Sequence, residues 1–488
     1  MTTITDTYKK YSLHFPDKTA IQTQNKRLSY FQWHEQICKT ATWLHSLEFA
    51  NKTLGILLPN GIPFLQLFTG ASMAGWTAVP FDLKWNQTEL QKRIAVSLPS
   101  ILITTKMMSE QLKKVHPNVL IYEECCQEVN QTSFRENFNA DGKLPFYMGF
   151  TSGSTGEPKA FIRSHESWVE SFACNQFDFH IDQTDHVLIP GALIHSHFLY
   201  GAISTLYMGG TVYLLEKFSP NQALTLIETN PISTIYVVPT MIEAFLKDGR
   251  MIEKSLKILS SGAKWSEKSK QEIQKMFVNL MMFEFYGASE LSFVTVQSDQ
   301  ENKHKSSSVG KPCHGVEIKI RQANNELAKP YEIGKIYVQS KMIFSGYLDA
   351  GTQSIQSFQD ADGWMTVGDM GYLDEDGFLY IEGREKNMIL FGGINIFPEE
   401  IEKIISLHPD VEEVAVIGLA DPYWGQIVAA VIKGKTQTMD LKKLCKKYLS
   451  SFKIPRKWYF VDEIPHTTSG KISRPKTKEL IERKVMNH

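Results

Sequence analysis

Between Phe150 and Ala160 the chain reads FTSGSTGEPKA, which sets two glycines and four hydroxyl side chains ahead of a proline and a lysine. Residues of these types can wrap phosphates. Glycines let the backbone approach an anion closely, hydroxyls donate to its oxygens, and lysine adds charge. A Walker-type loop needs its lysine directly after the second glycine, at the start of a helix. Here Glu157 and Pro158 stand between Gly156 and Lys159. Proline donates no N–H and biases the residue before it toward extended backbone, so this is not a Walker loop. The alternatives are a phosphate loop of another kind or an ordinary surface turn rich in Ser, Thr and Gly. The preceding LPFYMGF reads as a strand, and a loop leaving a strand end is where open α/β sheets bind ligands.

The elements that must position this loop alternate in type. TLGILLP, TAVPFD, SILITT, TVYLLE and STIYVVP read as strands, while PFLQLFTGASMAG and NQTELQKRIAVS have helical spacing. That alternation predicts layered α/β structure with mostly parallel sheets. After about Val338 the turn-rich segments DADGWMT and LDEDGFLY predict antiparallel hairpins. From Lys386 onward PEEIEKIISLH, EEVAVIGLA, LKKLCKKYLSSF and WYFVDEIP predict a helix, strand, helix and strand, enough for a small α+β domain. The expected division is residues 1–385 and 386–488.

Composition excludes several function classes. A net charge of -1 gives no field for nucleic acid or an anionic membrane surface. The six cysteines form no C-x-x-C pair and no metal-ligand spacing, as in a reducing compartment. The opening MTTITDTYKKYSLHFPDKTA has no apolar signal core, and the apolar region 57–79 is interrupted by Pro59, Asn60, Pro63 and Gln66. A cytoplasmic protein without a transmembrane segment is expected.

TSGSTGEPK resembles the signature loop of the adenylate-forming superfamily: acyl-CoA synthetases, adenylation domains of peptide synthetases, and luciferases. YGASE, WMTVGDMGYLDEDG, EGREKNMILFGGINIFPEEIE and PHTTSGKISR follow in the family's order and span most of the chain. The resemblance implies a large N-terminal domain of layered α/β sheets with a β-rich subdomain, then a small mobile C-terminal α+β domain. It implies ATP, Mg²⁺ and CoA as reactants and cofactor, with an acyl-adenylate formed and pyrophosphate released. Thr151, Ser152, Gly153, Ser154, Thr155, Gly156 and Lys159 would hold phosphates, and Thr151 with Glu290 would sit by Mg²⁺, a hard ion that takes oxygen ligands. Tyr286 would lie against adenine with Gly262 and Ala263 lining its other face, and Gly287, Ala288 and Ser289 would belong to the same ATP/AMP-binding set. Asp369 and Arg384 would bind ribose through an acceptor-only carboxylate and a planar fork of donors. Lys471 would bridge the substrate carboxylate and the α-phosphate. Lys386 would be the hinge, and Gly392 and Gly393 would let the backbone approach a pantetheine arm.

VLIPGALIHSHFLYGAI aligns with the family's acid-pocket helix. His195 falls where many acyl- and aryl-activating members have His, and Ser196 where amino-acid activators carry Asp. No carboxylate occupies 194–199, and burying an ammonium without a partner is costly, so amino-acid substrates are disfavoured. Leu193, Ile194, Phe198, Leu199 and Tyr200 suggest an apolar slot for a fatty or other hydrophobic acid. Two positions depart from the family's commonest pattern: Ala160 replaces a glycine, and TVGD replaces T-G-D. The expectation is a fatty-acid or related acyl-CoA ligase. The alternatives are a stand-alone enzyme loading an acyl or aryl acid onto a carrier protein's pantetheine, and an ATP- and acid-binding sensor without turnover.

Overall fold

The computed structural model describes residues 2–136, 138, 140–152, 157–262, 264–467 and 471–486, without the side chains of Ser152, Val485 and Met486. Gly153, Ser154, Thr155, Gly156 and Ala263, all singled out above, lie outside the described residues, as do Ser469 and Gly470. The chain divides into two compact units. Met1–Thr151, Pro158–Glu317 and Val338–Met365 form one; Ser152–Glu157, Ile318–Tyr337 and Thr366–His488 form the other.

The first unit holds two large sheets. In one, Thr53–Leu57 pairs in parallel with Thr77–Pro80 and with Ile101–Thr104, and Thr77–Pro80 pairs in turn with Pro145–Ser152. Every residue of Thr53–Leu57 is buried. A strand covered on both faces has no solvent side, so after Thr53 it reads as a near-continuous apolar run rather than an alternating one. Ile62–Met73, buried along nearly its whole length, follows as a helix with Pro63 in its first turn, where a missing N–H breaks no helical bond. The helix Gln87–Ser97 starts on a capping box: Asn86 accepts from the Glu89 N–H at 2.9 Å, and the Glu89 carboxylate accepts from the Asn86 N–H at 3.1 Å. In the nine-stranded sheet, Ile252–Ser260 lies parallel to Thr234–Val237 and to Phe277–Ala288. Phe277–Ala288 then doubles back antiparallel on Ser292–Ser298, and Glu290 sits in the reversal.

The second unit is β-rich at its start. Asp369–Leu373 and Leu379–Arg384 form an antiparallel hairpin. Its turn is built by Asp374, which accepts from the Asp376 N–H at 3.0 Å and the Phe378 N–H at 2.9 Å. LDEDGFLY is therefore the hairpin turn its composition suggested. Beyond it, Ile389–Phe391, Ile394–Ile396, Val411–Asp421, Gly425–Gly434 and Lys457–Phe460 make one sheet. Val414 and Val416 pack on one face with Ile401, Ile405 and Leu441, while Ala415 and Ile417 pack on the other with Ile464 and Ile481. The expected helix–strand–helix–strand order is present. Four further elements join it: the short strands Ile389–Phe391 and Ile394–Ile396, the strand Gly425–Gly434, which pairs along Val411–Asp421, and the closing helix Arg474–Met486. Mixed α/β architecture with a large N-terminal part and a smaller C-terminal part is thus the observed fold.

Among the described residues no helix is long and apolar enough to cross a membrane. None of the six cysteines forms a disulfide.

Candidate functional site

The first unit brings several of the expected residues onto one face of its eight-stranded sheet. Side chains alternate along a strand, so Lys159, Phe161 and Arg163 of Pro158–Ser164 share a face, as do Tyr147, Gly149 and Thr151 of Pro145–Ser152. The two sets share the same side: the Phe161 ring packs 5.3 Å from the Tyr147 ring and fills the space beside Gly149. The short strand Gly346–Leu348 pairs antiparallel with Pro158–Ser164, placing Tyr347 opposite Phe161. The Lys159 ammonium lies 5.5 Å from the centre of the Tyr347 ring, and the Tyr347 hydroxyl donates to Glu290 Oε1. Lys159 and Glu290 are thereby gathered at Tyr347, a residue the sequence did not single out, on the sheet face that Thr151 shares.

Arg163 was also missed. Its side chain is 2 % exposed, Nη1 donates to the Ser289 carbonyl at 3.4 Å, and Nε has no hydrogen-bond partner among the described residues. Burial lowers the guanidinium to about 10, partly offset by Tyr147 and Glu290 nearby. A buried guanidinium stays charged and planar where a lysine would neutralise, which suits it to a fixed internal cation.

Gly262 and Tyr286 lie toward the ends of neighbouring parallel strands. Gly262 follows Ile252–Ser260 at φ +97°, and the adjacent Ser261 hydroxyl donates to the Phe285 carbonyl at 3.2 Å. Strand carboxyl ends of this kind form the ligand crevice of open α/β sheets. Tyr286 is half-buried there, so the apolar run LMMFEFY is not a fully buried strand; Met281 within it is 44 % exposed. Gly287 has a packing reason of its own, because a Cβ at that position would run into the Ser292 carbonyl. Ala288 pairs with Ser292, and Ser289 supplies the carbonyl held by Arg163.

In the segment expected to bind the acid, helix Ser196–Met208 begins after His195. His195 is exposed at that start, Ser196 is half-buried, and Leu193, Phe198 and Leu199 are buried. The Phe198 ring occupies the space a side chain at Gly191 would need. Asn60 staples the loop in front of the helix, donating to the carbonyls of Gly191 at 2.8 Å and Leu215 at 3.0 Å and accepting from the Leu193 N–H at 2.7 Å. The second histidine of IHSH, His197, is the enclosed one. Its Nε2 donates to the Val237 carbonyl at 2.9 Å, and the rings of Phe198, Tyr236 and Phe285 surround it at 4.9, 5.3 and 5.6 Å. A carbonyl only accepts, so Nε2 carries the proton.

Burial lowers His197 to about 4 and His165 to about 3. Both stay neutral when folded at pH values where the unfolded chain, near about 6.5, is protonated. The unfolded state then binds more protons, so stability is full above about pH 6.5 and falls toward pH 4 by up to ~1.4 kcal/mol per pH unit for each group. His165 stacks on Phe146 at 4.8 Å, so His165→Phe keeps a ring there. Unfolding midpoints at several pH values should show a shallower loss for this variant than for wild type; an identical slope contradicts the assignment.

In the second unit, Asp369 is buried and pairs across the hairpin with Arg384, whose Nε donates to its Oδ1 at 2.9 Å. Lys386 is exposed in the short turn Glu385–Asn387. Lys386 lies inside the second unit, where the neighbouring Asn387 donates to Glu399 at 2.8 Å. Gly392 and Gly393 are the two-residue turn of the hairpin Ile389–Phe391/Ile394–Ile396, at φ +53° and +85°. Positive φ at both central residues is what a type I′ hairpin turn demands. A Cβ on Gly392 would press on Trp424 at 2.8 Å, whereas one on Gly393 would meet nothing within 4 Å. Lys471 is exposed. Its N–H donates to Thr467 Oγ1 at 3.2 Å, and the Thr467 N–H donates to its carbonyl at 2.7 Å. Arg474 of the same motif has a structural partner: it pairs with Glu402 at 2.5 Å and Glu399 at 3.3 Å, tying the closing helix to Pro398–Ile405.

The residues present suit a magnesium ion bound with phosphates. Thr151 and Glu290 offer a hydroxyl and a carboxylate, both hard oxygen donors, in the neighbourhood of a lysine. Among the described residues no group of three or more His, Cys, Asp or Glu could cage a metal alone. A single carboxylate with a hydroxyl suits Mg²⁺, which takes one or two carboxylates and completes its shell with substrate phosphates and water.

The sequence profile of AMP-binding enzymes matches residues 9–348, and that of the AMP-binding enzyme C-terminal domain matches 400–471. The chain is similar to an uncharacterized acyl–CoA ligase of Bacillus subtilis, YhfT, at 47% identity over 99% of both chains. Its fold is similar to that of the o-succinylbenzoate CoA synthetase MenE from Bacillus subtilis in complex with the acyl-adenylate intermediate OSB-AMP. There the TM-score is 0.87 at 26% identity, over 96% of this chain and 97% of that one. The same synthetase in complex with ATP and magnesium ion gives a TM-score of 0.87 at 25% identity, covering 96% of this chain and 98% of that one.

Proposed function

As a member of the AMP-binding enzyme family the chain is an AMP-forming acid–CoA ligase, and we propose that it activates a hydrophobic carboxylic acid. It uses ATP, Mg²⁺ and CoA and works through an acyl-adenylate. The observation that carries the proposed site is the cluster of Lys159, Tyr347 and Glu290 on the face that also holds Thr151. Carboxylate attack on the α-phosphorus brings two anions together, so cations must offset their repulsion. Lys159 does so at the phosphate tail, and Lys471 does so where the acid meets the α-phosphate. Thr151 and Glu290 would hold Mg²⁺, which would supply further charge neutralisation at the phosphates. Asp369 and Arg384 hold the ribose, and Tyr286 with Gly262 flanks adenine. Lys386 is the proposed hinge for a change of state after adenylation, and the turn Gly392–Gly393 would admit the pantetheine thiol. The thiol attacks the acyl carbon and AMP leaves.

The acid is apolar because the Leu193–Leu199 segment buries Leu193, Phe198 and Leu199 and carries no carboxylate. Fatty acids are the first reading. Aryl acids are the second, favoured by the rings of Phe198, Tyr236 and Phe285 around His197. Thioester formation across straight-chain, aryl and amino acids tests the choice. Turnover of apolar acids with CoA and none of amino acids is expected; efficient turnover of an amino acid contradicts the pocket assignment. Transfer to a carrier protein's pantetheine in preference to CoA would identify the chain as a loading enzyme instead.

A further inference from the structure

We propose that Tyr347 is a positioning residue for adenylation: its hydroxyl fixes the Glu290 carboxylate so that the second carboxylate oxygen is presented to Mg²⁺. The proposal rests on the reading of Glu290 as a magnesium ligand.

Three bonds from three directions hold Ser289 and Glu290. Arg163, rigid inside the protein, holds the Ser289 carbonyl at 3.4 Å. The Phe344 N–H donates to the Glu290 carbonyl at 2.9 Å. The Tyr347 hydroxyl donates to Oε1 of the side chain itself. The first two fix the backbone of the reversal, and the third fixes the carboxylate torsion that those two leave open. Tyr347 is itself immobilised. It pairs with Phe161 across the strands, and its ring meets Phe344 at 5.0 Å and Phe358 at 5.4 Å, both edge-on. With Oε1 engaged, Oε2 is the oxygen left for a hard cation. Hydrogen bonds to a metal-ligating carboxylate set its orientation, and losing one typically costs about 10–100-fold in metal affinity or activity. The Lys159 ammonium over the same ring adds a second consequence. One side chain spaces the phosphate-binding cation from the metal-binding anion, so the ring and the hydroxyl have separable roles.

Tyr347→Phe removes the hydroxyl and keeps the ring. Mn²⁺ binding to the ATP complex, followed by electron paramagnetic resonance, should weaken about tenfold or more in Tyr347→Phe. ATP affinity in excess EDTA and the melting temperature should stay at wild-type values. Reading Mn²⁺ affinity only on the fraction that binds ATP in EDTA removes any contribution from misfolded protein. Glu290→Gln in the same assay should lose Mn²⁺ more severely. Wild-type Mn²⁺ affinity in Tyr347→Phe overturns the proposal, and so does an equal loss of metal-free ATP binding, which would mark a merely structural role. If Glu290→Gln retains wild-type Mn²⁺ affinity, the metal assignment on which the proposal stands fails instead.

Discussion

Lys471→Ala is expected to lower acid-dependent ATP–pyrophosphate exchange by a factor on the order of 10²–10³, the size of loss seen when one preorganised donor to a developing charge is removed. A preformed acyl-adenylate should still be consumed by CoA at a rate within a few-fold of wild type. The asymmetry follows from when the charge is needed. During adenylation the acid's oxygen and the α-phosphate are both anionic, and an ammonium between them stabilises the transition state more than the separated reactants. Thioester formation starts from the mixed anhydride, whose carbonyl no longer carries that charge. The loop holding Lys471 is closed by the reciprocal bonds with Thr467, and the helix behind it is fixed by Arg474 to Glu402 and Glu399. Alanine at 471 leaves all of these main-chain and Arg474 contacts in place, so a loss of both half-reactions to the same extent contradicts the division of labour.

Lys386→Pro is expected to act on the other half. Proline holds φ near about −65° and pushes the preceding residue toward extended backbone, which stiffens the Glu385–Asn387 turn. The Glu385 N–H donates to the Gly368 carbonyl at 2.8 Å, so one side of the turn is already anchored beside the Asp369–Arg384 hairpin. Fixing the remaining torsion should leave ATP–pyrophosphate exchange within a few-fold of wild type and slow thioester formation from the preformed adenylate by about tenfold or more, as for a conformational step between chemistries. Unchanged thioester formation contradicts the hinge assignment.

Much of this was legible because the local rules agree with the global fold. Asn86 and Glu89 cap a helix, Leu54–Leu57 is a short run without a polar side chain, and Asp374 with Gly377 makes a hairpin turn; each signal is local and strong. The strand Gly425–Gly434 escaped notice because its run, QIVAAVIKG, is short, apolar and without alternation, and periodicity alone cannot type such a run. It is a strand because both faces of its sheet are covered, which is a tertiary fact. Glu290, Lys159 and Thr151 could be named from motifs, whereas Tyr347 and Arg163 could not. FSGYLD and FIRS hold no spacing that announces chemistry. Only the pairing of Gly346–Leu348 with Pro158–Ser164 shows that a tyrosine distant in sequence reaches the glutamate. The IHSH pair divides the same way: the sequence offers two histidines, and the fold encloses one.

If an organic acid is capped with AMP before it reaches CoA, one of its oxygens must end on AMP, and isotope transfer follows that oxygen. The purified chain is supplied with ATP, Mg²⁺, CoA and an apolar acid labelled with ¹⁸O in its carboxyl group. Attack of the carboxylate on the α-phosphorus, followed by thiol attack on the acyl carbon, leaves one carboxylate oxygen on AMP. Mass spectrometry should find AMP carrying a single ¹⁸O, with pyrophosphate unlabelled. Unlabelled AMP alongside thioester product, or label recovered in inorganic phosphate with ADP, would contradict the capping step.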